Sequence, residues 1–330
     1  MRNGRSDDCD GFDVAFCRFD RLLDCLGYFG CLTGADTYAA LFVADDDKII
    51  CFDKNGKIQS VIAARGRGPQ EAYDMSHFTA TDSTLLVADL GHKRMLEFDL
   101  GGTLRHAWPT ERYFHHFVWF SGAILLNNQT GDHHDDCVLP VCDVEGKIIH
   151  TPQIPIVGKK LNWPTAFFLS KEGCYYFPAL QNDIYLIDRN YKTQIAYSFD
   201  FGVHGLSPDI CEQYAQRQNL FIAFADYLRK NDKIAFITFA KTDRWLQLGF
   251  YLGGEKPYNW FMNRETGRQY LVPITADGTS PWNHPVIGAE DDRFIVKVEA
   301  ADYRRWPDCA VEGLAEDANP VLLLCAPQED

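Results

Sequence analysis

The chain has 330 residues, of which 46% are hydrophobic and 14% aromatic, so it is able to bury a large core. Its formal net charge of −14 argues against nucleic acid and against anionic membrane surfaces as partners, because both carry negative charge. The stretch Met1–Asp10 is polar and acidic, and no apolar run is long enough to cross a bilayer, so neither a signal peptide nor a transmembrane segment is predicted.

In chain order, residues 1–38 resemble a repeat least, and we expect part of them to close the last blade of a ring near Val321–Cys325. From residue 39 onward a unit of strand, hairpin and strand recurs. Each hairpin is preceded by an apolar residue and then an Asp. The Asp residues are at positions 53, 99, 143 and 188, so the intervals between them are 46, 44 and 45 residues. A period of this length with several short strands is typical of propeller blades, since one four-stranded blade must be covered by its neighbours.

The spacing predicts an all-β fold, a six-bladed β-propeller over residues 39–330. The blades are expected at about 39–62, 76–107, 115–154, 164–201, 233–272 and 285–325. Between blades four and five, Ser207-Pro208-Asp209 predicts the start of a helix, because Ser caps helices, Pro suits the first position and Asp complements the helix dipole. Apolar residues then recur near helical spacing, which predicts a short helical insertion at about 207–230.

Eleven cysteines, an odd number, occur without a CxxC pair. Cys51, Cys142 and Cys325 fall within apolar strand patterns and are predicted to be small core residues. This distribution favours buried or unpaired thiols over a disulfide framework.

Several segments resemble a known family. The stretch Lys48–Lys57, followed by Gly66-Arg67-Gly68-Pro69-Gln70-Glu71, is similar to the first blade and the GxGPGE-like loop of the six-bladed β-propeller proteins common in Bacteroides and its relatives, which are TolB-like and NHL-like propellers. Asn319–Leu324 resembles the closing strand of that family, whereas Gln70 stands where the family usually has Gly. The resemblance covers roughly residues 40 to 325. It implies relatives that are periplasmic or outer-membrane lipoproteins, although this chain shows no signal peptide.

Loops that join blades share one face of a propeller with the loops between second and third strands, so this face is where a binding site is expected. The polar stretches that would gather there are 45–47, 65–71, 91–94, 131–136 and 181–183. The candidate binding residues on them are Arg65, Arg67, Glu71, His92, Lys93, Arg94 and Asp183.

The segment Arg65–Glu71 has two interpretations. Arginines and exposed amides beside glycines suit an anion-binding loop. Alternatively, the segment is a structural turn in which glycines supply unusual backbone angles and Arg67 or Glu71 pairs to lock adjacent blades. His92-Lys93-Arg94 is likewise either a basic tip that meets a carboxylate-bearing glycan or a charged turn without a function.

The sharpest local cluster is Asp132-His133-His134-Asp135, which continues into Asp136. Imidazole and carboxylate ligands together suit zinc, manganese or a similar divalent metal, the one cofactor that the sequence suggests. The alternative is a solvated hairpin tip, because adjacent histidines rarely both ligate one ion. Among the seven tryptophans, most are predicted to pack between blades, and Trp163 and Trp282 are the better candidates for a surface role.

No GxSxG, HExxH, P-loop or dinucleotide-binding fingerprint is present. The sequence therefore predicts a non-catalytic binding or scaffold propeller, a monomer that presents a loop-rich face to a glycan, peptide or protein partner. The alternative is a divalent-metal-dependent hydrolase that resembles gluconolactonases and paraoxonases. Its metal would lie in the central channel, with Asn127, Asn128 and Asp183 as further inward groups.

Overall fold

The structure is a computed structural model, and within it the chain forms two compact units. The first comprises Met1–Leu23, Thr238–Gly249 and Pro257–Asp330, and the second comprises Asp24–Ile237 with Phe250–Lys256. The structure describes residues 15–17, 29–31, 40–44, 48–53, 58–73, 77–81, 83–110, 116–127, 139–155, 166–178, 180–215, 220–275, 278–307, 315 and 320–327.

Short strands make up most of the described chain. Before the helices they are β1 (Ala15–Cys17), β2 (Phe29–Cys31), β3 (Ala40–Ala44), β4 (Lys48–Asp53), β5 (Ile58–Ala64), β6 (His77–Ala80), β7 (Thr84–Asp89), β8 (Arg94–Asp99), β9 (Leu104–Pro109), β10 (His116–Phe120), β11 (Ala123–Asn127), β12 (Val141–Cys142), β13 (Ile148–His150), β14 (Ala166–Leu169), β15 (Cys174–Phe177), β16 (Asp183–Ile187) and β17 (Thr193–Ser198). After the helices they are β18 (Ile234–Lys241), β19 (Trp245–Leu252), β20 (Lys256–Asn263), β21 (Gln269–Pro273), β22 (Val286–Glu290), β23 (Arg293–Val298) and β24 (Val321–Cys325).

Within the described residues the strands form six four-stranded sheets. In five of them, four consecutive strands lie side by side in chain order: β2–β5, β6–β9, β10–β13, β14–β17 and β18–β21. The sixth has the order β1-β24-β23-β22, with Ala15 opposite Leu324 in an antiparallel pair. Successive sheets of sequence-adjacent strands are the arrangement of a β-propeller, and this all-β class is confirmed. Phe29–Cys31, also within the segment 1–38, pairs instead with β3.

The sheets of the second unit are apolar on both faces. On β7, Leu85 and Val87 pack in a cluster with Ile49 of β4, while Leu86 and Ala88 pack in another cluster with side chains of β10 and β11. A third cluster joins the sheets β10–β13 and β14–β17. Coverage on both faces explains why β7 is a continuous apolar run instead of an alternating one.

The thiols contribute to these cores. Cys51, Cys142 and Cys325 are buried, which confirms their prediction as small core residues. Burial raises the pKa of the Cys325 thiol to about 12 and that of Cys211 to about 11. A thiol in this state is protonated at neutral pH and is a poor nucleophile.

Two helices follow β17 and confirm the predicted helical insertion, α1 (Pro208–Ala215) and α2 (Leu220–Lys230). Ser207 caps α1, since its Oγ accepts the Ile210 N–H at 3.4 Å. Leu206, Cys211, Phe224 and Leu228 form a buried cluster that also includes Leu180 and Ala235. A third, four-residue helix, α3 (Ala300–Tyr303), has no counterpart in the sequence predictions. Among the described residues, no helix combines the length and the apolar character that crossing a membrane requires.

The repeated Asp has the same structural role in the described hairpins after β8, β12 and β16. Its side chain accepts backbone N–H groups two and four residues later, which closes the turn, and a residue of positive φ completes it. Where this residue is Gly, the backbone adopts the angle without strain. The contacts are Asp99 to Gly101 and Thr103, Asp143 to Glu145 and Lys147, and Asp188 to Asn190 and Lys192, all at 2.8–3.0 Å; the positive-φ residues are Gly102, Gly146 and Tyr191.

The hairpin after β20 shows which feature of the Asp side chain is needed to close the turn. Asn263 replaces the Asp there, and its Oδ1 accepts the N–H groups of Glu265 and Thr266 at 2.8 and 3.0 Å. The acceptor oxygen is therefore sufficient, and the negative charge is not required.

We therefore predict that Asp143→Ala lowers the free energy of unfolding by about 1–3 kcal/mol, because two hydrogen bonds worth roughly 0.5–1.5 kcal/mol each are lost. The matched variant Asp143→Asn keeps Oδ1 and should remain within about 0.5 kcal/mol of the wild type. Urea titration of the three proteins measures the difference. Equal losses in both variants would contradict the assigned role of the acceptor.

Candidate functional site

The loop between β5 and β6, which contains the predicted residues 65–71, folds back on itself. The Ala72 N–H donates to the Ala64 carbonyl and the Gly66 N–H donates to the Ala72 carbonyl, both at 3.0 Å. Within this closure, the Glu71 N–H donates to the Gly68 carbonyl at 3.2 Å, and Glu71 Oε2 accepts the Gly68 N–H at 2.8 Å. The loop is thus a compact, internally hydrogen-bonded turn.

Beneath this turn lies Asp89, a completely buried carboxylate at the end of β7. Its Oδ1 accepts the Tyr73 N–H at 3.1 Å. Its Oδ2 accepts Arg94 Nε at 2.9 Å and lies 2.7 Å from His92 Nδ1. Three hydrogen-bonding partners compensate for the burial of this charge.

Arg94 connects Asp89 to the loop by hydrogen bonds. Its Nη2 donates to the carbonyls of Glu71 at 2.5 Å and Gly68 at 3.4 Å, and its Nη1 donates to Pro69 at 3.4 Å. The guanidinium therefore holds three backbone carbonyls of the turn while Asp89 fixes its Nε. The structural-turn interpretation of the sequence names Arg67 or Glu71 as the residue that locks adjacent blades. The arginine that holds the turn is Arg94 instead.

The hydrogen bonds also set the protonation state of Asp89. Burial alone would raise the pKa of this carboxyl, but the hydrogen bonds from His92, Arg94 and the Tyr73 N–H outweigh it and hold the pKa below its ordinary value of 3.8. Asp89 is therefore ionised at neutral pH, and its interaction with Arg94 is a charge-assisted hydrogen bond.

The glycines of this region lie close against neighbouring side chains. A Cβ on Gly66 would lie 1.8 Å from Glu71 Oε2, and one on Gly91 would lie 2.5 Å from Tyr73 Cδ1. Sequence reasoning attributed the loop glycines to unusual backbone angles, but neither Gly66 nor Gly68 has a positive φ. Their role is to leave room for Glu71 and its bond to the Gly68 N–H.

The outer side of the turn is polar and aromatic. The Arg65 guanidinium carbon lies 5.9 Å from the centroid of the Tyr73 ring, and this ring meets the His92 ring edge-on at 5.9 Å. Tyr73 is 48% exposed. Arg67 belongs to the same loop and Lys93 follows His92 in the chain, and both are exposed. We call Arg65, Arg67, Tyr73, His92 and Lys93 the Tyr73 surface. It presents cationic and aromatic groups on an acidic protein.

The remaining predicted residues lie apart from this surface or outside the described residues. Asp183 begins β16 and accepts the Ser198 hydroxyl at 2.5 Å; its described contacts include no hydrogen bond to the Tyr73 surface. Asn127 is buried and accepts the Tyr176 hydroxyl at 3.3 Å. The candidate metal ligands Asp132, His133, His134 and Asp135, together with Asn128, lie outside the described residues. Within the described ranges, no three His, Cys, Asp or Glu side chains are grouped to hold a metal.

Sequence reasoning missed Asp89 and Tyr73, the two residues that tie this site together. The available signal was the run Leu85-Leu86-Val87-Ala88-Asp89, in which a carboxylate directly follows a strand buried on both faces. Trp282, predicted to have a surface role, is only partly exposed and packs edge-on against Phe261 and Phe294 at 5.1 and 6.3 Å. Trp163 lies outside the described residues.

Comparison with known proteins shows which family the sequence matches and which solved structures are similar to the chain. A domain of unknown function, DUF4934, matches residues 37–326. In structure, the chain is similar to a predicted exported protein of Bacteroides fragilis NCTC 9343, with 17% identity, a TM-score of 0.78 and coverage of 96% of each chain. It is also similar to a member of the DUF4221 family from Bacteroides vulgatus ATCC 8482, with 11% identity, a TM-score of 0.57 and coverage of 95% and 97%. No curated protein shows significant similarity to the sequence.

The lowered pKa of Asp89 predicts a pH-dependent stability. A carboxyl whose pKa falls on folding stabilises the folded state above its unfolded pKa, near 3.8, and this contribution is lost as the pH falls from there through the folded pKa. At pH 7, Asp89→Asn should lower the free energy of unfolding by about 1.5–3 kcal/mol, the value of a hydrogen bond to a charged group.

Denaturant titrations between pH 3 and pH 7 measure this effect, and the difference between wild type and Asp89→Asn should shrink below about pH 3.8. Asp291→Asn is the control, because Asp291 is exposed and Asn tolerates its positive φ. A difference for Asp89→Asn that stays constant over the whole range would contradict the lowered pKa.

The crowding at Gly66 predicts a coupled pair of mutations. Gly66→Ala displaces the Glu71 carboxylate and should lower the free energy of unfolding by about 1–2 kcal/mol, because the bond to the Gly68 N–H is broken. In a Glu71→Ala background the same change should be neutral or stabilising by up to about 1 kcal/mol, since Ala restricts the unfolded chain.

A double-mutant cycle measures the coupling. Gly288→Ala serves as the control, since a Cβ there would lie 3.6 Å from its nearest neighbour, an ordinary contact. Additive effects of the two mutations would show that Glu71 does not occupy the space beside Gly66.

Proposed function

The chain belongs to the DUF4934 family, and from this premise we propose that it is a non-catalytic binding propeller whose Tyr73 surface takes a carboxylate-bearing partner. The observation that carries the proposal is the arrangement of Arg94 and Asp89, which hold the turn from beneath while Arg65, Arg67 and Lys93 remain on its outer side. The propeller fold is consistent with a binding or scaffold role. The partner classes that fit are an acidic glycan, peptide or protein.

Preorganisation is the physical reason for this choice. A loop that is already fixed loses little conformational freedom on binding, so more of its contact energy appears as affinity. Arginine and tyrosine are enriched at binding interfaces because they combine apolar area with directional hydrogen bonds. On a chain of net charge −14, a local group of cations also favours an anionic partner over others.

The number of propeller blades stays a prediction. The six four-stranded sheets, and the pairing of Ala15–Cys17 with β24, support the predicted six-bladed ring. The division at residues 38 and 39 and the monomeric state are further predictions. An extracytoplasmic location is supported only by similarity to a predicted exported protein.

The predicted metal site at Asp132, His133, His134 and Asp135 remains a separate prediction, and so does the hydrolase alternative that would depend on it. Elemental analysis of the purified protein, repeated on His133→Ala/His134→Ala, measures whether a metal is bound and where. A binding propeller without a metal requires neither residue for its partner.

Charge reversal tests the proposed surface. We expect oligogalacturonate or a glutamate-rich peptide to bind the wild type, with affinity that falls as salt is added, because exposed charges are screened. Arg67→Glu/Lys93→Glu should weaken this binding at least tenfold, as measured by isothermal titration calorimetry.

The matched control is Lys147→Glu/Lys192→Glu, which makes the same charge change at two exposed lysines in the hairpins after β12 and β16. Circular dichroism confirms that each variant is folded. Equal weakening in both double variants, or no binding of either anionic probe at low salt, would refute the assignment of the Tyr73 surface.

A further inference from the structure

A cavity of about 250 Å³ lies at the other ends of the strands that carry the Tyr73 surface. It is bordered by the β6–β7 turn, by β8 and β9, by β10 and by the β12–β13 turn, so it lies between the sheets β6–β9 and β10–β13. The two sheets are joined there by an apolar cluster and by the backbone N–H of Trp119, which donates to Thr79 Oγ1 at 3.2 Å. The cavity is thus formed by two packed sheets of the same unit.

Glu97 is an unusual residue in this wall. In the register of the sheet it lies opposite Leu86 of β7, so its side chain shares the face that carries Leu86, Ala88 and Met95, which are all buried. Glu97 is partly exposed, and its carboxylate makes no hydrogen bond or ion pair with the residues that the structure describes. His106 of β9 lies opposite Glu97 on the same face. A ligand that supplies donors would give this carboxylate a partner.

Two tryptophans provide the apolar part of the wall. Trp108 of β9 and Trp119 of β10 are both partly exposed, and both pack against the apolar cluster between the sheets. Neither indole N–H has a hydrogen-bond acceptor among the described residues. The cavity therefore combines aromatic surface with two available donors and one available carboxylate acceptor.

Threonine and serine hydroxyl groups form the remaining side of the cavity. Thr81 Oγ1 accepts the N–H groups of Ser83 and Thr84 at 3.2 and 2.9 Å and lies 2.9 Å from Thr84 Oγ1. These bonds hold both threonine hydroxyls in a defined position at the cavity, whereas Ser83 is exposed at its edge. A wall that is already ordered favours binding because little freedom is lost.

We propose that this cavity binds a single neutral pyranose unit. A sugar ring has apolar faces of C–H groups that stack on indole, and hydroxyls that both donate to Glu97 and accept from indole N–H groups. An ammonium ion also suits a carboxylate beside aromatic rings, but it has no acceptor for the two indole donors. The volume, below that of typical drug-sized sites, fits one small unit.

This inference is independent of the Tyr73 surface, since it involves different residues and a neutral ligand. The test is isothermal titration calorimetry, supported by saturation-transfer NMR, of the full chain with methyl pyranosides of glucose, galactose, mannose and N-acetylglucosamine, and with choline as the cationic probe. We expect at least one pyranoside to bind with a dissociation constant of about 1 mM or tighter. Glu97→Gln and, separately, Trp108→Phe should each weaken that binding at least tenfold.

Glu255→Gln is the matched control, because Glu255 is an exposed glutamate in the β19–β20 turn and does not line the cavity. It should bind the same pyranoside with wild-type affinity. The proposal is overturned if no pyranoside binds, if choline binds in place of every pyranoside, or if pyranoside binding survives unchanged in both folded cavity variants. The Tyr73 charge-reversal variant, which leaves the cavity intact, should retain pyranoside binding.

Discussion

The buried carboxylate of Asp89 is the interaction on which the loop-bearing face of this protein depends. It is ionised, completely buried and bonded to Arg94, His92 and the Tyr73 N–H. Arg94 in turn holds three backbone carbonyls of the turn above it. Removing either partner would leave a buried charge or several carbonyls unsatisfied, which is costly. The conformation of the exposed loop is therefore determined by its bonds to Asp89 and Arg94.

Elsewhere the sheets follow a regular pattern, and this site departs from it. Sheets of the second unit are apolar on both faces, and their described outer hairpins are closed by an Asp oxygen that accepts two backbone N–H groups. Two departures from the pattern carry the functional proposals. One is the loop from Arg65 to Tyr73, which exposes cations and an aromatic ring, and the other is Glu97, a carboxylate opposite the buried Leu86. Function is argued from these two sites and not from the fold.

Much of the fold follows from the sequence, because strand alternation, hairpin chemistry and helix capping are local. The Asp intervals predicted the repeated units, and Ser207-Pro208-Asp209 predicted the helical insertion. The site was harder, because the bonds that join the loop to Asp89 and Arg94 link residues 16 to 26 positions apart. Thus the sequence indicated Arg65, Arg67 and Glu71 but not Asp89, and it presented Arg94 as part of a basic tip although the fold directs it inward. Glu97 gave no local signal, since its unusual environment exists only after two sheets pack together.

Amide hydrogen exchange measures whether Asp89 and Arg94 hold the turn. If Asp89 and Arg94 hold the turn, the N–H groups of Gly66, Gly68, Glu71 and Ala72 are protected in the wild type. In Arg94→Lys these four amides should exchange faster, because lysine cannot hold the three carbonyls, while the Gly101 and Thr103 amides of the Asp99 hairpin remain as protected as before. Rapid exchange of the four loop amides in the wild type, or unchanged protection in Arg94→Lys, would contradict the account.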